Sequence, residues 1–169
     1  AQMSFPKQKV YDAIVFMAYQ TTFNSVKDYL ESVRPSWDNI PRVDRWLTVY
    51  AGSPDTAYTR AVAAKFLIGA VRRIYEPGCK HDEMIVLEGA QGSGKSSLLA
   101  ALCHNPAWFT DAVTLNMESK NLIEVTQGRW IVEAPELSRL TGSEVEHVKA
   151  LLSRREDIAR LAYGRDTTA

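Results

Sequence analysis

The stretch LEGAQGSGKSS at residues 87–97 decides the fold, because it sets glycines, a lysine and serines directly behind an apolar run. Gly89, Gly94, Lys95 and Ser96 match the pattern G-x-x-x-x-G-K-S/T, in which glycines let successive backbone amides point inward around a phosphate group. The pattern predicts a polyphosphate-binding loop made of these consecutive residues: Gly89, Ala90, Gln91, Gly92, Ser93, Gly94, Lys95, Ser96 and Ser97.

The residues on both sides of this loop have the patterns that it requires. The apolar run EMIVLEG at 83–89 predicts a buried strand, and the apolar spacing after the loop predicts a helix. Lys95 is expected to reach the β and γ phosphates of ATP, and the Ser96 hydroxyl to ligate a bound Mg²⁺. The alternative is a glycine loop that only joins a strand to a helix, and a chance match to the pattern is expected in under about one chain in a hundred.

Hydrolysis also requires acidic groups near the phosphates, and the segment RWIVEAPEL at 129–137 supplies two. Glu133 follows three apolar residues and is predicted to act on the metal side with Ser96. Glu136 is the candidate for polarising the attacking water, so Lys95, Glu133 and Glu136 form the predicted catalytic set. The alternative is two surface glutamates at the start of a loop.

Periodicity divides the rest of the chain into a helical first half and an alternating second half. Residues 25–35 predict an amphipathic helix capped by Ser25 and Asp28 and stopped by Pro35, and residues 56–75 predict a helix enclosed between layers. Later segments predict, in order, a helix at 119–127, a strand at 128–136, a helix at 143–153 and a strand at 157–164.

These patterns predict the α/β class. The expected architecture is a P-loop NTPase core with three layers, α/β/α, incomplete at its C-terminus and preceded by a helical N-terminal subdomain. The predicted domains are the helical subdomain at residues 1–79 and the partial core at residues 80–169.

Composition indicates an ordinary globular protein: 169 residues, 46% of them hydrophobic and 24% charged. Lysine plus arginine and aspartate plus glutamate are balanced at 20 each, so no overall positive field attracts nucleic acid or lipid. No apolar stretch is long enough to span a membrane, and we expect a cytoplasmic protein. Cys79 and Cys103 lie near histidines without zinc-type spacing, and we interpret both as reduced thiols.

Several segments resemble the virulence-associated protein E family of phages and mobile elements. The resemblance spans nearly the whole chain and includes VKDYLESVRPSWDNIPRVDRWL at 26–47, PGCKHDEM at 77–84, GRWIVEAPELS at 128–138 and LAYGR at 161–165. It implies a P-loop ATPase related to the superfamily 3 helicases, bacterial or phage-encoded, that works as a homo-oligomeric ring on DNA beside or fused to a primase. The phosphate loop and the two acids match the family by position.

The resemblance also bears on the arginines near the end of the chain. Arg160, Tyr163 and Arg165 match a family segment that could contact DNA or a neighbouring subunit, as could Arg154 and Arg155. A solvated edge strand is the alternative. Family members continue into a TTN-like sensor and an NRRF-like element, whereas this sequence stops at GRDTTA. We therefore expect nucleotide binding with hydrolysis slowed about a thousandfold or more.

Two other functions stay open at this point. A small-molecule phosphotransferase would need a lid of basic residues, and none is evident between the loop and Glu133. A nucleotide-gated module that binds another protein through its helical half would need only binding without turnover.

Overall fold

The computed structural model describes residues 6–20, 23–114, 117–135 and 150. Contacts divide the chain into two compact units, residues 1–36 and 37–169. The predicted domain boundary between residues 79 and 80 stays a prediction. In chain order the elements are α1 (Lys7–Gln20), α2 (Ser25–Val33), a 3₁₀ turn (Arg34–Ser36), α3 (Trp46–Ala51), α4 (Ala57–Tyr75), α5 (Lys95–Ala101), a 3₁₀ turn (Pro106–Trp108), β1 (Phe109–Thr110), α6 (Ser119–Thr126) and β2 (Ile131–Val132).

The first unit contains α1 and α2. The helix at α2 confirms the amphipathic helix, but its cap differs from the prediction. The side chain of Asn24 caps α2, accepting a hydrogen bond of 3.0 Å from the amide of Lys27. Asparagine is as good a cap as serine, and Asn24 has the extended backbone that a cap residue needs, one position before Ser25.

In the second unit, α4 is the longest helix, and two tryptophans anchor it through its backbone. The indole of Trp46 donates a 3.0 Å hydrogen bond to the carbonyl of Ala63, and the indole of Trp130 donates one of the same length to the carbonyl of Ala70. Both contacts use the second lone pair of a helical carbonyl. They tie α3 and the residue before β2 to one helix.

Helix α4 is not enclosed as predicted. Ala63 and Gly69 are buried, while Tyr58 is 78% exposed and Ile68 is 56% exposed. Part of the helix therefore packs, including Phe66 against the ring of Trp46 with centroids 5.8 Å apart, and the rest faces solvent. The cap at Thr56 lies where the helix was predicted to start, with its hydroxyl accepting from the amide of Thr59.

The two strands form one parallel sheet within the described residues, with Phe109 opposite Ile131 and Thr110 opposite Val132. Parallel strands require a crossover, and α6 supplies it. The described part of the chain is thus a mixed α and β structure, mostly helical, with one small parallel sheet. The three-layer P-loop core stays a prediction. The strand predicted at 83–89 is not found: within the described residues this segment has no ladder partner, although Ile85 and Leu87 are half-buried and their neighbours exposed.

A small apolar core lies under the sheet and the helix that follows the loop. The rings of Trp108 and Trp130 pack nearly perpendicular to each other, with ring centroids 6.3 Å apart. The buried hydrophobic residues of this region are Leu99, Cys103, Trp108, Val113, Ile123 and Ile131. Such burial fixes the positions of α5 and β2, the elements that carry the predicted site. None of the described helices is long and apolar enough to cross a membrane.

Candidate functional site

The glycine-rich loop is an exposed turn that leads directly into α5. Gly92 and Gly94 both have a left-handed backbone, with φ of 76° and 82°, which glycine adopts without steric cost. The amide of Ser93 donates to the carbonyl of Ala90 at 3.3 Å, and α5 begins at Lys95 immediately after Gly94. The loop therefore curls back on itself before the helix starts.

The side chain of Lys95 folds into this curl. Its ammonium lies 3.0 Å from the carbonyl oxygen of Gly89, 2.9 Å from that of Ala90 and 3.3 Å from the hydroxyl of Ser93. All three partners are neutral oxygens of the loop itself. The positive charge is thus held at the centre of the loop, where a phosphate would be expected, with no carboxylate among these partners.

The loop is joined to the end of β2 by a hydrogen bond between Ser96 and Glu133. The Ser96 hydroxyl donates to one carboxylate oxygen, Oε1, at 2.8 Å, across 37 positions of sequence. The amide of Glu133 donates to the carbonyl of Thr110 at 2.8 Å, which continues the ladder between β1 and β2 by one residue. Glu133 therefore projects from the carboxyl end of a fixed parallel pair, and Ser96 from the first turn of α5.

The other carboxylate oxygen of Glu133 is unusual. Oε2 is buried and has no hydrogen-bond partner within the described residues. A buried carboxylate oxygen without a partner is costly, since it loses its water and gains nothing in exchange. A cation beside it would remove that cost.

The donor set fits Mg²⁺. Magnesium is usually held by one or two carboxylates together with water and phosphate oxygens, rather than by a complete set of protein ligands. Ser96 and Glu133 offer a hydroxyl and a carboxylate at this point, and no group of three or more histidine, cysteine, aspartate or glutamate side chains suited to a metal occurs in the described part of the chain. The pair therefore matches a magnesium site completed by a bound phosphate.

The structure brings together part of the predicted site. Lys95 contacts the loop at Gly89, and the next residue, Ser96, contacts Glu133. The remaining predicted residues, Glu136, Arg154, Arg155, Arg160, Tyr163 and Arg165, lie outside the described residues. Cys79 and Cys103 are both free thiols, the first half-buried and the second buried.

Sequence reasoning missed two residues that hold the backbone near the site. Thr110 fixes the backbone of Glu133, and His81 packs on α4 at Gly69 just before the loop begins. Nothing in the pattern around Thr110 indicates its partner. The close approach of the His81 imidazole to Gly69 does have a sequence signal, since a glycine inside a long helix often marks such an approach.

A family model for the virulence-associated protein E-like domain matches residues 30–169. No curated protein matches the chain.

Proposed function

We propose that this chain, which belongs to the virulence-associated protein E-like domain family, binds ATP with Mg²⁺ through residues 89–97. The observation that carries the proposal is the 2.8 Å hydrogen bond from Ser96 to Glu133. It joins a loop of the phosphate-binding pattern to an acidic strand end, and it leaves one buried carboxylate oxygen for a cation.

The proposed fold around this site is a P-loop core with three layers. The parallel pairing of β1 and β2 through α6 supports it, because that arrangement is the building unit of such cores. Residues 83–88 directly precede the loop in the sequence.

Each side chain of the site has a proposed role. Lys95 binds the β and γ phosphates through its ammonium. It thereby exchanges the neutral carbonyl oxygens of the loop for anionic phosphate oxygens. Ser96 and Glu133 hold the cation, and Glu136 orients the attacking water. Bound Mg²⁺ would neutralise charge that develops on the phosphates during transfer.

The proposed biological setting is a phage or mobile-element replication protein that uses ATP to move on DNA. A homo-oligomeric ring, a primase partner and DNA contacts from Arg154, Arg155, Arg160 and Arg165 belong to this proposal. DNA-stimulated ATP hydrolysis by the longest natural form of the protein supports the motor. ATP hydrolysis that DNA does not change at any salt concentration contradicts it.

Nucleotide binding is tested by calorimetric titration of ATP in the presence of Mg²⁺. Lys95→Ala should weaken binding about ten- to a hundredfold, because a charge-assisted contact to phosphate is lost. Lys65→Ala is the matched control, since Lys65 is an exposed lysine of α4. Equal affinities of the wild-type chain and Lys95→Ala would remove the assignment of the loop.

The acidic group is tested separately. Glu133→Gln keeps the shape of the side chain and its acceptor oxygen but removes the charge, so it should spare ATP binding while removing most of the gain in affinity that Mg²⁺ gives. Glu76→Gln, which breaks only an exposed ion pair with Arg72, is the control. A Mg²⁺ effect of normal size in Glu133→Gln refutes the metal role.

A further inference from the structure

The ammonium of Lys95 is saturated by the loop. An ammonium has three N–H donors, and three loop oxygens lie within 3.3 Å of it, namely the carbonyls of Gly89 and Ala90 and the hydroxyl of Ser93. An arriving phosphate oxygen must therefore replace one of them. The nucleotide affinity then includes the cost of breaking that contact.

The three contacts are not equivalent. The two carbonyl oxygens belong to the backbone and lie at 3.0 and 2.9 Å, whereas the Ser93 hydroxyl lies at 3.3 Å and moves by rotation about one side-chain bond. A hydroxyl is also a neutral acceptor, and an anionic oxygen binds an ammonium roughly twice as strongly. Ser93 is the partner that a phosphate oxygen displaces most easily.

Because Gly89 has no side chain, there is room beside it for the contact between the Ser93 hydroxyl and the Lys95 ammonium. A side-chain carbon added at Gly89 would lie 3.4 Å from the Ser93 hydroxyl and 4.0 Å from the Lys95 ammonium. Ser93 and Lys95 therefore meet over the bare face of Gly89.

We propose that Ser93 is a positioning residue that holds Lys95 inside the empty loop and releases it to the incoming phosphate. The proposal rests on the proposed function, since it requires that the loop bind phosphate. Ser93 stabilises the empty form alone. Its hydroxyl thus lowers the affinity for nucleotide while keeping the ammonium at the place where it is needed.

This role predicts that removing the hydroxyl tightens nucleotide binding, the opposite of what a direct hydrogen bond from Ser93 to the phosphate predicts. If the Ser93 hydroxyl donated a hydrogen bond to the bound phosphate, Ser93→Ala would weaken binding. Because it instead competes with phosphate, Ser93→Ala should tighten binding of ATP and of pyrophosphate about two- to tenfold. Pyrophosphate carries no base or ribose, so the same gain with both ligands places the effect at the phosphates.

The experiment compares the wild-type chain, Ser93→Ala, Ser93→Thr and the control Ser32→Ala, a serine replacement in the exposed part of α2. Calorimetry gives the affinities for ATP and pyrophosphate, and hydrogen exchange of the amides of residues 89–94 is followed without ligand. We expect tighter binding and two- to tenfold faster exchange in Ser93→Ala alone. Ser93→Thr keeps the hydroxyl and should show neither the gain in affinity nor the faster exchange expected of Ser93→Ala.

Unchanged or weaker binding in Ser93→Ala overturns the competition, and unchanged exchange of the ligand-free loop overturns the hold on Lys95. The second readout needs no nucleotide. If no variant binds ATP or pyrophosphate but exchange is faster in Ser93→Ala, the proposed function fails while the hold of Ser93 on Lys95 is supported. The two failures are therefore distinguishable.

Discussion

Replacing Gly69 with alanine tests how the approach to the loop is held. The added carbon would lie 2.2 Å from Cε1 and 2.3 Å from Nε2 of His81, far inside the normal contact distance of about 3.5–4.0 Å. The imidazole is 21% exposed and lies 3.3 Å from the carboxylate of Glu83, and the carbonyl of His81 accepts a 2.8 Å hydrogen bond from Arg73. The ring can move away only by losing its contact with Glu83, while the backbone of His81 stays held by Arg73.

Whether Gly69→Ala stabilises or destabilises the chain is informative, because two contributions to the free energy of unfolding oppose each other. Alanine favours a helix interior over glycine by about 1 kcal/mol. Overpacking costs about 1–3 kcal/mol, so the net expectation for Gly69→Ala is destabilisation by about 1 kcal/mol. When His81→Ala removes the ring, the overpacking disappears, and the same glycine replacement should stabilise the chain by about 1 kcal/mol.

Denaturant unfolding of the wild type, Gly69→Ala, His81→Ala and the double variant measures this reversal. The expected coupling between the two positions is about 2 kcal/mol, well above the scatter for independent sites. A Gly69→Ala variant that is more stable than the wild type would refute the packing of His81 on α4. So would equal effects of the glycine replacement in both backgrounds.

Three further outcomes are expected from other parts of the chain. Ser96→Ala should weaken binding of ATP about three- to tenfold with Mg²⁺ and little without it, by calorimetry, and equal losses in both conditions would contradict the metal role. The hydrogen bond from Arg60 holds the pKa of Asp55 below its usual 3.8. Asp55 therefore stabilises the fold above that pH, and this contribution is lost as the pH falls. Asp55→Asn should flatten the acid part of the plot of unfolding free energy against pH, and an unchanged plot would contradict this. Burial raises the pKa of the Cys103 thiol, so mass spectrometry after alkylation at pH 8 should find Cys79 modified first, and equal rates would argue against the buried position.

Local sequence signals predict the helices well. The bounds of α4 and α6 follow the apolar spacing and the end signals closely, with Thr56 as the cap of α4 and Gly78 three residues beyond its end. These signals act over a few residues and are visible in the sequence itself. The correction at Asn24 is of the same kind, because two good capping residues stand side by side and only the backbone decides between them.

Strand pairing is harder to predict, because it depends on a partner elsewhere in the chain. The run at 83–89 has the composition and the alternation of a strand, yet no described segment forms a ladder with it. The indole contacts with α4 span 17 and 60 positions and leave no local pattern either. Long-range contacts of this type emerge only when the chain is folded.

The candidate site lies between these two cases. The order of loop, helix and acidic strand end indicates that Ser96 and Glu133 are neighbours. In the structure the Ser96 hydroxyl lies 2.8 Å from Oε1 of Glu133. The partners of Lys95 could not be predicted, since they are oxygens of the same loop and depend on its exact curl. The roles of all these residues in nucleotide binding stay predictions.

A crystal structure of the chain grown with Mg²⁺ and a nonhydrolysable ATP analogue tests the central claim most directly. We predict that the β and γ phosphates lie among the amides of residues 89–96, with Lys95 turned toward them and the cation beside Ser96. A loop that stays empty at saturating analogue, with Lys95 still bound to the carbonyls of Gly89 and Ala90, would contradict the account.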